Sequence, residues 1–191
     1  MLPHRLSKPF ASVLLLFVVC FTASANAVSE RVITLANSTQ ATFTHAQGLE
    51  QDQKLGKVHP KASVLLIHGW AGNMNEVGDM YKRLAAQLAR HQIASLRINI
   101  RGESEGAKNG FRLTSTFASR VTDAEAGLAF LRQQYTDIPT GVVGFSLGGA
   151  TAIKLMGLHP ADINSVVLWS SAGDPALVGQ SILSPAQIRE V

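Results

Sequence analysis

The sequence has 191 residues, of which 46% are hydrophobic and 16% charged, and 17 basic against 13 acidic side chains give a net charge of +4. This is the composition of one globular domain, and it excludes a disordered, collagen-like or coiled-coil chain. The single cysteine, Cys20, excludes a disulfide framework.

The first 27 residues have the order of a secretory signal peptide. Basic residues precede the apolar run 10–21, and small residues ending in Ala25-Asn26-Ala27 follow it. The run has 12 residues, whereas a membrane-spanning helix needs about 20. We therefore expect an exported protein, periplasmic or secreted, with a domain of residues 28–191 that keeps no membrane span.

Removal of residues 1–27 changes the charge as well as the length. It leaves 164 residues without Cys20 and lowers the net charge to +2. The sequence therefore favours neither a nucleic-acid partner nor a cysteine-based metal site, and it leaves the oligomeric state open.

The domain begins with two short runs rich in β-branched residues, 31–36 and 41–46, on either side of the turn-like segment 37–39. They predict an antiparallel hairpin. After a polar stretch, the apolar run 62–67 is typical of a strand buried on both faces.

Strands and helices then alternate. Asn73 and Glu76 resemble a capping box, and helical spacing follows at Val77, Met80, Leu84 and Leu88. A second strand is predicted over 93–100, and a long helix by an apolar stripe at Phe117, Val121, Ala124, Leu128, Leu131 and Tyr135.

The strand 141–145 leads after one residue into the segment 147–158, a helix with almost no polar face, which we expect in the centre of the molecule. A fourth buried strand is predicted over 165–170. Such an order implies an α/β fold with a mostly parallel sheet, helices on both faces, and ligands bound beyond the carboxyl ends of the strands.

The strand 141–145 ends in the pattern G-x-S-x-G, formed by Gly144, Ser146 and Gly148. A direct turn from strand to helix strains the central residue, needs small neighbours, and exposes the serine hydroxyl at a helix N-terminus. Two other interpretations stay open at this point: a serine that only caps the helix, and a dinucleotide-binding loop.

Beyond the strand 62–67 stands the segment His68-Gly69-Trp70. With the serine pattern, it makes the sequence similar to the α/β-hydrolase family of esterases, lipases and peptidases. The resemblance implies Ser146 as catalytic nucleophile and the backbone N–H groups of Trp70 and Leu147 as oxyanion hole. It implies no metal or cofactor, and a small-molecule or peptide acyl substrate. His68 is expected to fix its loop.

The loop 101–106 resembles a shortened R-G-x-G-x-S loop of the same family. It departs from that pattern at Asn99, where aspartate is usual. We expect a structural loop near the substrate, with Glu103 and Glu105 as solvated charges.

The acid and the base of a triad are harder to find. His159 would lie on the order of 15 Å from Ser146, at the far end of a helix, so no catalytic histidine is assigned. Three earlier histidines are expected at the surface: His45, His59 and His91. Asp174 is a weak candidate for the acid, in a segment that resembles the start of a cap from about residue 172.

Two hypotheses therefore remain. The first is a serine hydrolase domain that lacks its C-terminal strands and cap. The second is a non-catalytic fold that binds a ligand or a partner.

Overall fold

The computed structural model describes residues 27–47, 59–103 and 115–171. Most of the predicted signal peptide, Glu105 and Asp174 with the expected cap lie outside these residues. The strands are β1 (Val28–Thr34), β2 (Gln40–Ala46), β3 (Ala62–Ile67), β4 (Ile93–Ile98), β5 (Thr140–Phe145) and β6 (Ser165–Trp169). The helices are α1 (Met80–Arg90), α2 (Phe117–Gln134) and α3 (Leu147–Leu158), with a 3₁₀ turn (Val77–Asp79) before α1.

The six strands form one sheet in the order β1-β2-β4-β3-β5-β6. β1 and β2 are the predicted hairpin, and β2 is antiparallel to β4. The remaining neighbours are parallel. The predicted α/β fold with a mostly parallel sheet is therefore confirmed. Because β3, β4, β5 and β6 are parallel, their carboxyl ends lie on the same side of the sheet.

Helices cover both faces of the sheet. Leu65 and Ile67 pack in the larger apolar cluster with residues of α2 and α3, whereas Leu66 packs against Tyr81 and Ala85 of α1. Successive side chains of a strand point to opposite faces, so β3 is apolar except for the buried Ser63 because both of its faces are covered. No helix within the described ranges is long and apolar enough to cross a membrane.

The start of α1 differs from the prediction. The N-cap is Asp79, whose side chain makes no capping hydrogen bond, and Val77 is 76% exposed. The expected capping box at Asn73 and Glu76 does not cap α1, because the Glu76 carboxylate is buried and accepts from the N–H groups of Gly69 and Val77.

Two predictions of burial were too broad. In α3, residues from Gly148 to Ala152 and Leu155 are buried, but Ile153, Met156 and Leu158 are 39% to 48% exposed. Val167, Leu168 and Trp169 of β6 are 42% to 53% exposed. Within the described residues β6 pairs with β5 alone, so the strand has the apolar sequence of a buried strand at an edge position.

Candidate active site

Ser146 is the only residue between β5 and α3, and its backbone is strained. It has φ 51° and ψ −121°, a region that non-glycine residues occupy at a cost of about 1–3 kcal/mol. Its N–H donates to the carbonyl oxygen of Trp169 at 3.0 Å, and its side chain makes no capping hydrogen bond. A helix-capping serine has an extended backbone and a side chain that accepts from the helix, so Ser146 is not a conventional cap.

The two glycines of the pattern are required by space. A β-carbon on Gly144 would lie 2.5 Å from the Cα of Gly149. A β-carbon on Gly148 would lie 2.6 Å from the carbonyl oxygen of His68 and closer still to that of Ile67. The first turn of α3 therefore packs directly on the end of β3, which fixes the direction in which Ser146 is presented.

The loop after β3 lies against Ser146. A β-carbon on Gly69 would be 3.2 Å from the Cβ of Ser146 and 3.2 Å from the Cδ1 of Phe145. Trp70, the next residue, is 59% exposed, and Leu147, directly after the serine in the chain, is the first residue of α3. The segments that carry the two predicted oxyanion donors thus meet at Ser146, and the first N–H groups of a helix have no acceptor within it.

His68 holds this loop as a neutral imidazole. Its Nδ1 lies 2.6 Å from the carbonyl oxygen of Gly69, and its Nε2 accepts from the N–H of Ile100 at 3.0 Å. Because an N–H can only donate, Nε2 is unprotonated and Nδ1 carries the proton. Burial lowers the pKa of His68 to about 4, with Arg120 adding to the effect. The side chain agrees with the expected role of fixing the loop.

Glu76 and Tyr81 add two further supports. The Glu76 carboxylate is buried and accepts from the N–H of Gly69 at 2.7 Å. The Tyr81 hydroxyl donates to the carbonyl oxygen of Ile67 at 2.9 Å, and burial raises its pKa, with Glu76 contributing. Glu76, just before the 3₁₀ turn, therefore holds the loop directly, and Tyr81 of α1 holds the last residue of β3 before the loop.

Glu103 is a buried anion, which corrects the expectation of a solvated charge. It is 5% exposed, forms an ion pair with the fully buried Arg120, and accepts from the N–H of Ala71 at 3.1 Å. Arg120 also donates to the carbonyl oxygen of His68 at 2.6 Å and to Thr151 Oγ1 at 3.3 Å. One ion pair therefore joins the loop after β4, helix α2 and the loop that faces Ser146.

Asp123 is a second buried carboxylate of α2 that the sequence analysis missed. It accepts from the backbone N–H of Arg101 at 2.8 Å and from Arg101 Nε at 2.7 Å. Asn37 and Thr39 of the β1–β2 turn donate to it as well. Arg120 and Asp123 are next to Val121 and Ala124 of the apolar stripe of α2. Their places beside a buried helix face were the sequence signal for their own burial.

Apart from His68, the described histidines lie outside the loop that faces Ser146, and none of them is hydrogen-bonded to the serine side chain. His159 follows the last residue of α3 and lies 2.9 Å from Glu125 Oε1. His59 and His91 are exposed, as predicted. His45 is 2% exposed, with Nδ1 2.8 Å from the carbonyl oxygen of Ala46, so its predicted surface position was wrong. It lies on β2, which is between β1 and β4 in the sheet, and its ring lies against Phe43 with the centroids 5.2 Å apart.

Asn99, the residue that departs from the family pattern, accepts at Oδ1 from the N–H of Met74 at 2.8 Å. Within the described part of the chain, no hydrogen bond of the Ser146 side chain is formed. The same residues contain no cluster of three or more His, Cys, Asp or Glu side chains that could hold a metal ion.

Comparison with known proteins gives a family match and several relatives. Residues 58–188 match the family model described as serine aminopeptidase, S33. The chain is 27% identical over 114 residues to monoglyceride lipase from Rattus norvegicus, over 58% of this chain and 35% of the relative. It is 30% identical over 132 residues to 2-hydroxy-6-oxo-6-(2'-aminophenyl)hexa-2,4-dienoic acid hydrolase from Metapseudomonas resinovorans, over 69% of this chain and 42% of the relative.

Among solved structures, dienelactone hydrolase from Anabaena variabilis is similar with a TM-score of 0.63 and 17% identity, over 78% of this chain and 66% of that chain. This likeness concerns the fold. The chain spans 35% to 42% of the length of these two curated relatives.

Proposed function

We propose that this chain, which belongs to the serine aminopeptidase S33 family of α/β hydrolases, carries the nucleophile and oxyanion-binding part of an exported serine hydrolase. The proposed substrates are carboxylic esters or related acyl compounds. The observation that carries the proposal is the conformation of Ser146, with φ 51° and ψ −121° and no capping bond of its side chain. Strain of this kind persists only where the surroundings impose it, and it is common in active sites.

In the proposed reaction, the Ser146 hydroxyl attacks the acyl carbon and the carbonyl oxygen becomes an anion. The backbone N–H groups of Trp70 and Leu147 would stabilise that anion, in the manner of an oxyanion hole. The N-terminus of α3 adds a favourable dipole at the same place. The N–H of Trp70 would remain in position because His68, Glu76 and Glu103 hold the loop that contains it, and that of Leu147 because it is the first residue of α3.

The attack also needs a base for the serine proton, and no described histidine is bonded to Ser146. His159 lies beyond the end of the 12-residue helix α3, about 18 Å from its start at 1.5 Å per residue. His68 is fully engaged by Gly69 and Ile100. We therefore expect slow Ser146 chemistry in this chain, since loss of triad members costs several powers of ten in rate.

The proposal is tested by labelling the purified chain with a fluorophosphonate probe and by following hydrolysis of p-nitrophenyl acetate. Ser146→Ala should abolish the labelling. Ser165→Ala is the matched control, because the exposed Ser165 pairs with Gly141 at the amino end of β5, whereas Ser146 follows the carboxyl end. It should label like the parent chain. Ser146 is not the nucleophile if Ser146→Ala labels at the parent rate. A chain without any Ser146-dependent labelling would favour the alternative of a non-catalytic binding fold.

Export is a separate part of the proposal, and it rests on residues 1–27. If these residues are a signal peptide, the exported protein begins at Val28, after the pattern Ala25-Asn26-Ala27. N-terminal sequencing of the protein recovered from the periplasm or the medium measures this directly. Recovery of an uncleaved chain from the cytoplasm would contradict it.

A further inference from the structure

A polar cavity of about 620 Å³ lies beside strands β1, β2 and β4, and Ser146 is not among its lining residues. It is lined by the middle of β1, the start of β2, the end of β4 with Asn99, the segment 73–75, and Lys82 of α1. The volume is in the range of pockets that bind small molecules, about 300–1,000 Å³. Residues 69–71 of the loop that faces Ser146 do not line it either.

Four carboxamides line this cavity, those of Gln40, Asn73, Asn75 and Asn99. The oxygen of each of the three asparagines is engaged by the protein. Asn73 Oδ1 accepts from the N–H of Asn75, Asn75 Oδ1 accepts from the Arg97 guanidinium, and Asn99 Oδ1 accepts from the N–H of Met74. Since each partner is a donor, the assignment of oxygen and nitrogen in these amides is chemically fixed. The Nδ2 groups of these three asparagines take no part in those bonds, and none of them has an acceptor among the described residues.

The two basic side chains of the cavity, Arg97 and Lys82, also have hydrogen-bond donors without an acceptor among the described residues. Arg97 is 2% exposed and donates to Glu30 at 2.8 Å, while its Nε has no acceptor in the described structure. Burial lowers the pKa of Arg97, against the opposing effect of Glu30. Lys82 is an exposed lining residue without an ion pair within the described residues. Asp79 lies near Arg97 but does not line the cavity.

We propose that this cavity binds a small molecule through a carboxylate or phosphate group, with Lys82 and the amide groups of Asn73, Asn75 and Asn99 as donors. An oxyanion supplies the acceptors that these donors lack. Hydrogen bonds to a charged group are stronger than those between neutral groups. The charge of Glu30 does not prevent binding, because Arg97 neutralises it within the wall of the cavity.

The test is an NMR titration of the chain, at constant ionic strength kept with chloride, using inorganic phosphate in one series and acetate in another. The readout is the side-chain amide resonances of Asn73, Asn75 and Asn99. We expect saturable shifts with at least one of the two anions, and the one that binds identifies the group. Because the titration includes no catalytic step, its result is independent of whether Ser146 is a nucleophile.

Two variants locate the site. Lys82→Ala removes an exposed charge, and Asn99→Asp keeps the acceptor for the Met74 N–H but replaces the amide donor by a negative oxygen. Each should weaken binding at least about tenfold, which corresponds to about 1.4 kcal/mol. Lys154→Ala, on the exposed face of α3, is the matched control and should bind like the parent chain. The proposal is overturned if neither anion gives saturable shifts, or if Lys82→Ala and Lys154→Ala have the same effect.

Discussion

Buried ionisable side chains hold the loop that faces Ser146. His68 and Glu76 bond backbone groups of Gly69, and Glu103 bonds the N–H of Ala71. Arg120 adds a bond to the carbonyl oxygen of His68. A backbone N–H can stabilise an anion only if its position is fixed beforehand, so these side chains would act on the reaction through the loop and not on the substrate itself.

The burial of His68 makes stability depend on pH. Its pKa is about 4 in the folded protein against 6.5 for an unperturbed histidine, so the unfolded chain takes up a proton first as the pH falls. The free energy of unfolding should therefore decrease between about pH 6.5 and pH 4, by a contribution of about 3 kcal/mol, and change little more below that from this group.

Urea unfolding of the parent chain and of His68→Gln at pH 7 and pH 4.5 measures this contribution. The glutamine variant should be less stable at pH 7 but should lose less stability on acidification. Equal losses in the two proteins would show that His68 is not the responsible group.

The ion pair between Glu103 and Arg120 is buried on both sides. Glu103→Gln should lower the free energy of unfolding by about 3–5 kcal/mol, because it leaves the Arg120 charge buried without a partner. Glu125→Gln, which removes a half-exposed partner of His159, is the control and should cost at most about 1 kcal/mol. Urea unfolding compares the two, and a cost for Glu103→Gln no larger than the control would contradict the burial of the pair.

At the scale of elements, the junction of β5 and α3 depends on close backbone contact. Gly148 lies against the carbonyl oxygens of Ile67 and His68, whereas a β-carbon added to Gly157 of the same helix would have no atom within 4 Å. A side chain is therefore excluded at the first turn of α3 but has room near the last turn. At the first turn the small residue brings helix and strand together, and near the last turn it only weakens the helix.

Gly148→Ala and Gly157→Ala form a matched pair for this junction. Gly157→Ala should stabilise the protein by roughly 0.5–1 kcal/mol, because alanine restricts the unfolded chain and favours the helix. Gly148→Ala should destabilise it, since its β-carbon would lie 2.6 Å from the His68 carbonyl oxygen, and should also reduce Ser146 labelling. Thermal melting measures both, and equal changes for the two variants would contradict the packing of α3 on β3.

For the whole molecule, the sheet order sets where the fold is most and least protected. β3 lies between β4 and β5, with helices on both faces. β6 pairs with β5 alone among the described strands, and its apolar side chains are about half exposed. Local opening is cheapest where buried contacts are few.

Native-state hydrogen exchange should therefore rank the strands. Amides of β3 and of its neighbours β4 and β5 should exchange most slowly, near the rate set by global unfolding, and those of β6 much faster. The measurement uses exchange resolved at single amides. Protection of β6 equal to that of β3 would show that another part of the chain covers this edge.

Much of the fold could be predicted because its signals are local. The hairpin of β1 and β2, the apolar run of β3 and the stripe of α2 each follow from spacing within one segment. The candidate nucleophile and the loop 68–70 were found in the same way, since a strand that turns directly into a helix requires small residues at fixed positions.

Tertiary structure decided what no single segment contains. Glu103 and Glu76 look like surface charges or caps in the sequence, yet partners 17 and 7 residues away hold them inside. The same holds for His45, Arg97 and Asp123, which are buried because other elements cover them. The sequence by itself determined the strands, the helices and the serine turn. Only the fold decided which charges are buried, because burial and pairing depend on residues distant in the chain.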